Sequence, residues 1–186
     1  NLRPDESAWV HKGRIHCMLP YTMQDGYDRK LTEKPLKTAV LENEYLRAEF
    51  STELGGRLWS LIDKDSGREL LYCNPVFQPG NLAIRNAWFS GGVEFNVGRR
   101  GHDEQTCSAR FAAALTADDG TPVLRIYEMD RDRHTPFQLD FYLPEDSRFL
   151  KIRGRITNPN EYVEPMYWWS NIAVNEEPGS RIVVPT

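Results

Sequence analysis

Short apolar runs separated by turn-forming residues fill the chain from Thr38 onward. The run FQLDFYL at 137–143 alternates large apolar residues with Gln, Asp and Tyr, and this period of two indicates a strand with one buried face. We find no window with convincing helical spacing of apolar residues. Many short strands with turn signals between them predict an all-β fold, an antiparallel β-sandwich.

Local sequence also predicts where several strands turn. The run TAVLENEYLRAEFS at 38–51 reads as two strands broken around 42–44, and residues 56–73 read as a hairpin that turns at Asp63–Gly67. A second hairpin is expected at 108–132, with its turn at 118–121. Further strands are expected within 148–160 and 166–174, and the run RIVVPT at 181–186 resembles one more strand.

The polarity pattern divides the chain into two parts. Residues 1–37 are polar and irregular, with three prolines, and predict an N-terminal arm. Residues 38–186 predict one β-sandwich domain, which we expect to be truncated at its C-terminus because a strand ending at 186 would leave an open edge.

Composition excludes several classes of partner. The net charge of −4 and the pI of about 5.6 argue against nucleic acid, because phosphate binding needs a concentrated basic face. No apolar run approaches the roughly 20 residues of a membrane-spanning helix, so no membrane partner is expected. The N-terminus shows no secretory signal pattern, which favours a cytoplasmic location. Cys17, Cys73 and Cys107 form no CxxC pair, so we expect neither a metal site nor a cofactor.

Residues 81–104 (NLAIRNAWFSGGVEFNVGRRGHDE) concentrate most of the candidate chemistry. Arg85 is flanked by apolar residues and should have a designated partner, which Glu94 could supply. Glu94 and His102 together could act as general acid and base. A glycosidase would instead need two carboxylates roughly 5–10 Å apart, for which Glu94 could pair with an acidic residue of the 128–132 segment. Gly91 and Gly92 are expected in tight turns with close backbone approach.

The tryptophans supply candidate flat surfaces for a ligand. Trp59 is expected to fill the space between the two sheets. Trp168 and Trp169 are adjacent on a predicted strand, so their side chains should point to opposite faces. One of them can belong to the core, while the other is a candidate to stack against the C–H face of a sugar.

Three blocks resemble a known family. The segments ENEYLRAEFSTELGGRLWSLIDKDSGRELLY, NLAIRNAWFSGGVEFNVGRRGH and PMYWWSNIAV are similar, in this order, to an uncharacterised domain of the galactose mutarotase-like superfamily. That domain is often found in front of tetratricopeptide repeats. The resemblance implies a β-supersandwich that binds carbohydrate in a concave cleft, and it implies helical repeats downstream in the parent protein.

The resemblance assigns expected roles to individual residues. It implies that Arg85, Trp88 and His102 line the sugar site. Trp169 stands where aldose epimerases carry their general-acid histidine, so the resemblance supports sugar binding more strongly than epimerase chemistry.

We therefore predict a carbohydrate-binding domain. The binding residues expected are Arg85, Trp88, Asn96, Trp169 and Asn171, and the residues with catalytic potential are Glu94 and His102. Two alternatives remain: a sugar-active enzyme, either an epimerase or a glycoside hydrolase, and a non-catalytic platform for protein interactions.

Overall fold

The computed structural model describes residues 21, 28, 30–78, 80–82, 86–97 and 102–184. Side chains are described for all of these except 80–82 and 86–88. Most of the predicted N-terminal arm therefore lies outside the described residues. Within the described part of the chain, no helix has the length and apolar character needed to cross a bilayer.

The described chain is built from strands that pair only in antiparallel fashion. In chain order they are β1 (Thr38–Glu42), β2 (Leu46–Ser51), β3 (Arg57–Asp63), β4 (Arg68–Glu69), β5 (Gly80–Leu82), β6 (Asn86–Trp88), β7 (Val93–Val97), β8 (Phe111–Thr116), β9 (Pro122–Asp130), β10 (Thr135–Tyr142), β11 (Lys151–Ile156) and β12 (Trp168–Ile172). The prediction of an all-β fold is confirmed.

Two main sheets form the sandwich. The six-stranded sheet has the order β1-β2-β3-β7-β12, with β4 paired to β3, and the four-stranded sheet has the order β11-β10-β9-β8. β5 and β6 form a separate two-stranded sheet.

One apolar core lies between the two main sheets and holds them together. Phe50 and Phe95 of the larger sheet pack against Phe141 of the smaller one, with ring centroids 4.5 and 5.4 Å apart. Ile126 and Leu139 are fully buried in the same cluster. Burial of side chains of this size stabilises a fold by roughly 1.5–3 kcal/mol each, so this core is the main source of stability.

The predicted hairpin turns are confirmed, and side-chain hydrogen bonds explain them. The Asp63 carboxylate accepts from the Ser66 hydroxyl at 2.6 Å, and Gly67 adopts a φ of 67° between β3 and β4. In the β8–β9 turn, the Thr121 amide donates to the Asp119 carboxylate at 3.0 Å, and Gly120 has a φ of 86°. Asp side chains that bond to nearby amides and Gly at positive φ are what such turns require.

Two expectations from the sequence are wrong. Residues 181–184 form no strand and pair with none of the described strands, and Ile182 and Val183 are exposed. Trp59 does not lie between the main sheets. It packs on the outer side of the six-stranded sheet against Phe77 and Phe89, in a second apolar cluster with Leu54.

Candidate functional site

Strand β7 separates the core from the candidate site by simple alternation. Val93 and Phe95 belong to the core cluster, so Glu94 and Asn96 project from the opposite, outer face of the six-stranded sheet. Both polar side chains are nevertheless buried, with exposed fractions of 2% and 0%. Polar groups at this depth require partners, and their partners define the site.

Strand β12 adds two further residues to the same outer face. Asn171 pairs with Glu94, and Trp169 pairs with Asn96 in the β7–β12 register. Trp168 lies on the other side, where its ring is 6.3 Å from Phe95. The predicted opposite orientation of the two adjacent tryptophans is confirmed.

Glu94 has contacts at both carboxylate oxygens. Oε2 accepts from the guanidinium of Arg57 at 3.0 Å and from the hydroxyl of Thr106 at 3.3 Å. Oε1 accepts from the amide of Asn171 at 3.3 Å and lies 2.7 Å from Nδ1 of His102.

Arg57 is the buried counter-charge of Glu94. Its guanidinium also donates to the carbonyl oxygens of Phe89 and Gly91, at 2.6 and 2.8 Å, and lies 3.7 Å from the centroid of the Phe89 ring. Burial lowers the pKa of Arg57 to about 10, and the attraction of Glu94 opposes this shift. Arg57 therefore carries its charge at neutral pH.

His102 connects this buried pair to a half-buried aromatic surface. Its imidazole centroid is 4.7 Å from that of the Trp169 ring, while its Nδ1 faces Glu94. Its side chain is 22% exposed, compared with 2% for Glu94. We call the set Arg57, Glu94, His102, Trp169 and Asn171 the outer-face cluster.

The loop that carries His102 is fixed by a second buried ion pair. Arg110 Nη2 donates to Asp103 at 2.9 Å, and the Asp103 amide donates to Asn96 Oδ1 at 2.7 Å. Asp103 also accepts from the amide of Gln105 at 2.7 Å. Complete burial raises the pKa of Asp103, and Arg110 opposes that shift. Because Asp103 follows His102 directly, this network fixes the backbone position of the imidazole.

Glycines allow the segments around the cluster to approach one another. Gly91 and Gly92 have φ values of 110° and 65°, and a Cβ on Gly92 would lie 2.3 Å from the carbonyl oxygen of Leu58. A Cβ on Gly55 would lie 2.2 Å from the carbonyl oxygen of Thr106. The prediction of tight turns at Gly91 and Gly92 is confirmed, and the close approach seen there is between segments of the chain itself.

The structure brings five of the seven predicted site residues together: Glu94, Asn96, His102, Trp169 and Asn171. Arg85 and the Trp88 side chain lie outside the described residues. The expected Glu94–Arg85 pair therefore also falls outside the described residues. Among the described residues, Arg57, 37 residues before Glu94, provides a counter-charge. The sequence reading also missed Asp103 and Thr106, for which adjacency to His102 in the loop was the available signal.

The sequence matches the family described as Domain of unknown function (DUF5107) over residues 13–186. The chain belongs to this family. A solved structure of a TPR-domain containing protein from Parabacteroides distasonis is similar, with a TM-score of 0.77 and 22% sequence identity. The match covers 86% of this chain and 28% of the other, so this DUF5107 chain spans about a quarter of that relative.

The outer-face cluster gives this DUF5107 domain a defined chemical capability. It combines one half-buried indole ring, one imidazole of fixed orientation and a buried ion pair beneath them. An imidazole can donate or accept a proton near neutral pH, and an indole ring offers a flat apolar surface.

Proposed function

We propose that this domain binds carbohydrate at the outer-face cluster. The observation that carries the proposal is the position of His102, whose ring lies against Trp169 while Glu94 holds its Nδ1. A sugar presents an apolar C–H face and hydroxyl groups at its rim. Trp169 suits the apolar face, and His102 beside it suits a hydroxyl, in keeping with binding sites that combine apolar walls with a few directed polar groups.

Within this proposal Glu94 orients His102 rather than touching the ligand. Both of its oxygens already have contacts, and its side chain is only 2% exposed. A carboxylate at Nδ1 favours the tautomer with the proton on that nitrogen, which directs Nε2 away from Glu94. His102 is thus the polar contact residue, and Arg57 and Glu94 are positioning residues.

We further propose that the family is related to galactose mutarotase-like proteins. The support is a two-sheet antiparallel sandwich together with three sequence blocks similar to that superfamily. The expected sugar is then an aldose or an oligosaccharide with an accessible apolar face. The relative from Parabacteroides distasonis contains a TPR domain, which supports the idea that helical repeats accompany this sandwich in its parent protein.

A second candidate is a sugar-active enzyme, and the His102–Glu94 contact favours it specifically. Carboxylate-oriented imidazoles serve as general acids or bases, and such groups commonly accelerate proton transfer about 10²–10⁴-fold. In that case His102 would exchange a proton with the sugar, and Glu94 would hold the imidazole in the active orientation.

Calorimetric titration with galactose, glucose and their short oligosaccharides tests the proposal, and the adjacent tryptophans supply a matched pair of variants. We expect saturable binding that Trp169→Ala weakens at least tenfold, which corresponds to about 1.4 kcal/mol. Trp168→Ala should leave the affinity within about twofold, because its ring faces Phe95. Equal loss in both variants, or no heat with any sugar, would contradict sugar binding at this cluster.

The same samples separate binding from catalysis. Heat that continues after saturation, together with a changed sugar in the product, would favour the enzyme. His102→Ala should then abolish turnover, whereas Glu94→Gln should reduce it and shift its pH profile. Saturable heat without product would favour a binding domain.

A further inference from the structure

The outer face of the four-stranded sheet carries an ordered array of side chains outside the outer-face cluster. The strand registers place residues of β8, β9, β10 and β11 in rows across the sheet. The first row is Phe111, Tyr127, Gln138 and Arg155; the second is Ala113, Arg125, Asp140 and Arg153; the third is Leu115, Val123, Tyr142 and Lys151. We call this surface the cationic face.

Positive charge predominates on this face although the whole chain has a net charge of −4. Its four cations are Arg125, Lys151, Arg153 and Arg155, and its one carboxylate is Asp140. Asp140 is 3% exposed and bound by Arg125 at 2.6 and 2.8 Å. Within the described residues, Lys151, Arg153 and Arg155 form no salt bridge, and all three are exposed.

A shallow pocket of about 370 Å³ opens on the first two rows. Its lining includes Arg125, Tyr127, Gln138 and Arg155, together with one carboxylate, that of Glu128. The Tyr127 ring stacks on Phe111 at a centroid distance of 5.4 Å and an angle of 22°, so its orientation is fixed by its neighbour. The pocket thus joins an aromatic ring to guanidinium and amide groups.

We propose that the cationic face binds an acidic oligosaccharide, one that carries carboxylate groups on its sugar rings. Tyr127 offers a flat contact for a sugar ring, while Gln138 and Arg155 offer hydrogen bonds to its substituents. Arg153 and Arg155 are two residues apart on β11, so their side chains point to the same side and their Cα atoms are about 7 Å apart. A guanidinium pair of that spacing can hold the carboxylate of one ring or of adjacent rings.

Three observations favour an acidic sugar over a nucleic acid or an acidic peptide. The net charge of −4 opposes long polyanions, whose affinity rests on many phosphate contacts. Phe111 and Tyr127 stack on each other, so the two rings do not offer separate faces on which successive bases could stack. The pocket volume matches one or two rings of a sugar chain rather than an extended peptide.

Titration of the protein with a galacturonic acid trisaccharide, followed by heat or by amide NMR shifts, tests this site. We expect saturable binding that weakens as salt rises and that exceeds the affinity for a neutral galactose trisaccharide at least tenfold. The double variant Arg153→Gln/Arg155→Gln should lower the affinity at least tenfold. Arg148→Gln removes one exposed charge elsewhere and should leave binding unchanged.

Several results would overturn the proposal. These are no binding of the acidic trisaccharide, equal binding of the neutral one, undiminished binding by the double variant, or equal binding of a poly-glutamate peptide or single-stranded DNA. The inference goes beyond the proposed function, and Trp169→Ala distinguishes the two sites. That variant should leave acidic-sugar binding intact even if the outer-face cluster binds no sugar.

Discussion

The two outer faces of the sandwich differ in how they hold charged residues: on one face the charges are buried in ion pairs, and on the other most of them are exposed. On the six-stranded sheet, loops cover the face, and Arg57, Glu94, Asp103 and Arg110 are all buried in ion pairs. On the four-stranded sheet no loop of the described chain pairs with most of the cations, and Lys151, Arg153 and Arg155 are exposed. On the covered face, backbone carbonyl oxygens, glycine turns and two buried ion pairs together hold the His102 imidazole in place.

The difference indicates that the buried charges position other side chains, whereas the exposed charges are available to attract a ligand. A buried ion pair is costly to assemble, and its value lies in fixing the geometry of what touches it. An exposed cation contributes little to stability but remains available to a ligand. We therefore expect substitutions on the covered face to change stability strongly, and those on the cationic face to change ligand affinity with little loss of stability.

The largest effect is expected from removing one member of the buried pair. Arg57→Ala leaves the Glu94 carboxylate and two carbonyl oxygens without their donor, and it should lower the free energy of unfolding by about 3–5 kcal/mol. Arg153→Ala on the cationic face should change it by less than about 0.5 kcal/mol, because Arg153 is exposed and forms no salt bridge with the described residues. Urea unfolding of both variants measures the contrast, and similar losses would refute it.

A smaller effect is expected at two glycines of nearly equal conformation. Gly55 and Gly67 have φ values of 72° and 67°, but only at Gly55 would a Cβ collide with backbone. Gly67→Ala should therefore cost about 1 kcal/mol from its left-handed conformation alone. Gly55→Ala should cost about 2–4 kcal/mol, because the Thr106 carbonyl must also move. Thermal unfolding of the two variants side by side tests this, and equal costs would show that the loop yields freely.

The smallest effect concerns pH, and the two faces should differ in its sign. Hydrogen bonds from Arg125 lower the pKa of Asp140 below its ordinary value of 3.8. Its contribution is therefore present above that value and is lost as pH falls through the lowered pKa. Asp140→Asn should flatten the loss of stability in acid.

Asp103 supplies the opposite case for the same measurement. Its pKa in the fold is raised, so its contribution falls as pH rises through that raised value. Asp103→Asn should make the stability curve rise more steeply with pH just above 3.8. Urea unfolding between pH 3 and 6 compares the two variants with the parent protein, and identical pH slopes would contradict both assignments.

Local sequence was sufficient to predict most of the fold. The turns at Asp63–Gly67 and 118–121 follow from Asp and Gly chemistry within a few residues, and the alternation at 137–143 identifies a strand. At 181–184 the apolar run did not predict the structure, because these residues pair with none of the described strands and local sequence does not show whether a run will pair. The position predicted for Trp59 was wrong because a large ring can be buried against loop residues, here Phe77 and Phe89, as well as between two sheets.

The candidate site could be predicted only in part, because its residues are far apart in the sequence and meet only in the folded structure. Glu94, His102 and Trp169 were chosen for their chemistry, and their convergence depends on the β7–β12 pairing across more than 70 residues. Arg57 could not be identified as a counter-charge from the sequence, because it meets Glu94 only through the pairing of β3 with β7. Adjacency to His102 was the available signal for Asp103, whereas nothing local to Arg110 indicates its buried ion pair with Asp103.

The most direct measurement of the central claim is the indole N–H resonance of Trp169 during a galactose titration. Replacing each tryptophan by Phe assigns the signals of the five indoles. We predict a saturable shift of the Trp169 resonance, with that of Trp168 unchanged, and loss of the shift in His102→Ala. A Trp169 resonance that remains fixed at saturating galactose, and with each other aldose and oligosaccharide tested, would contradict sugar binding at the outer-face cluster.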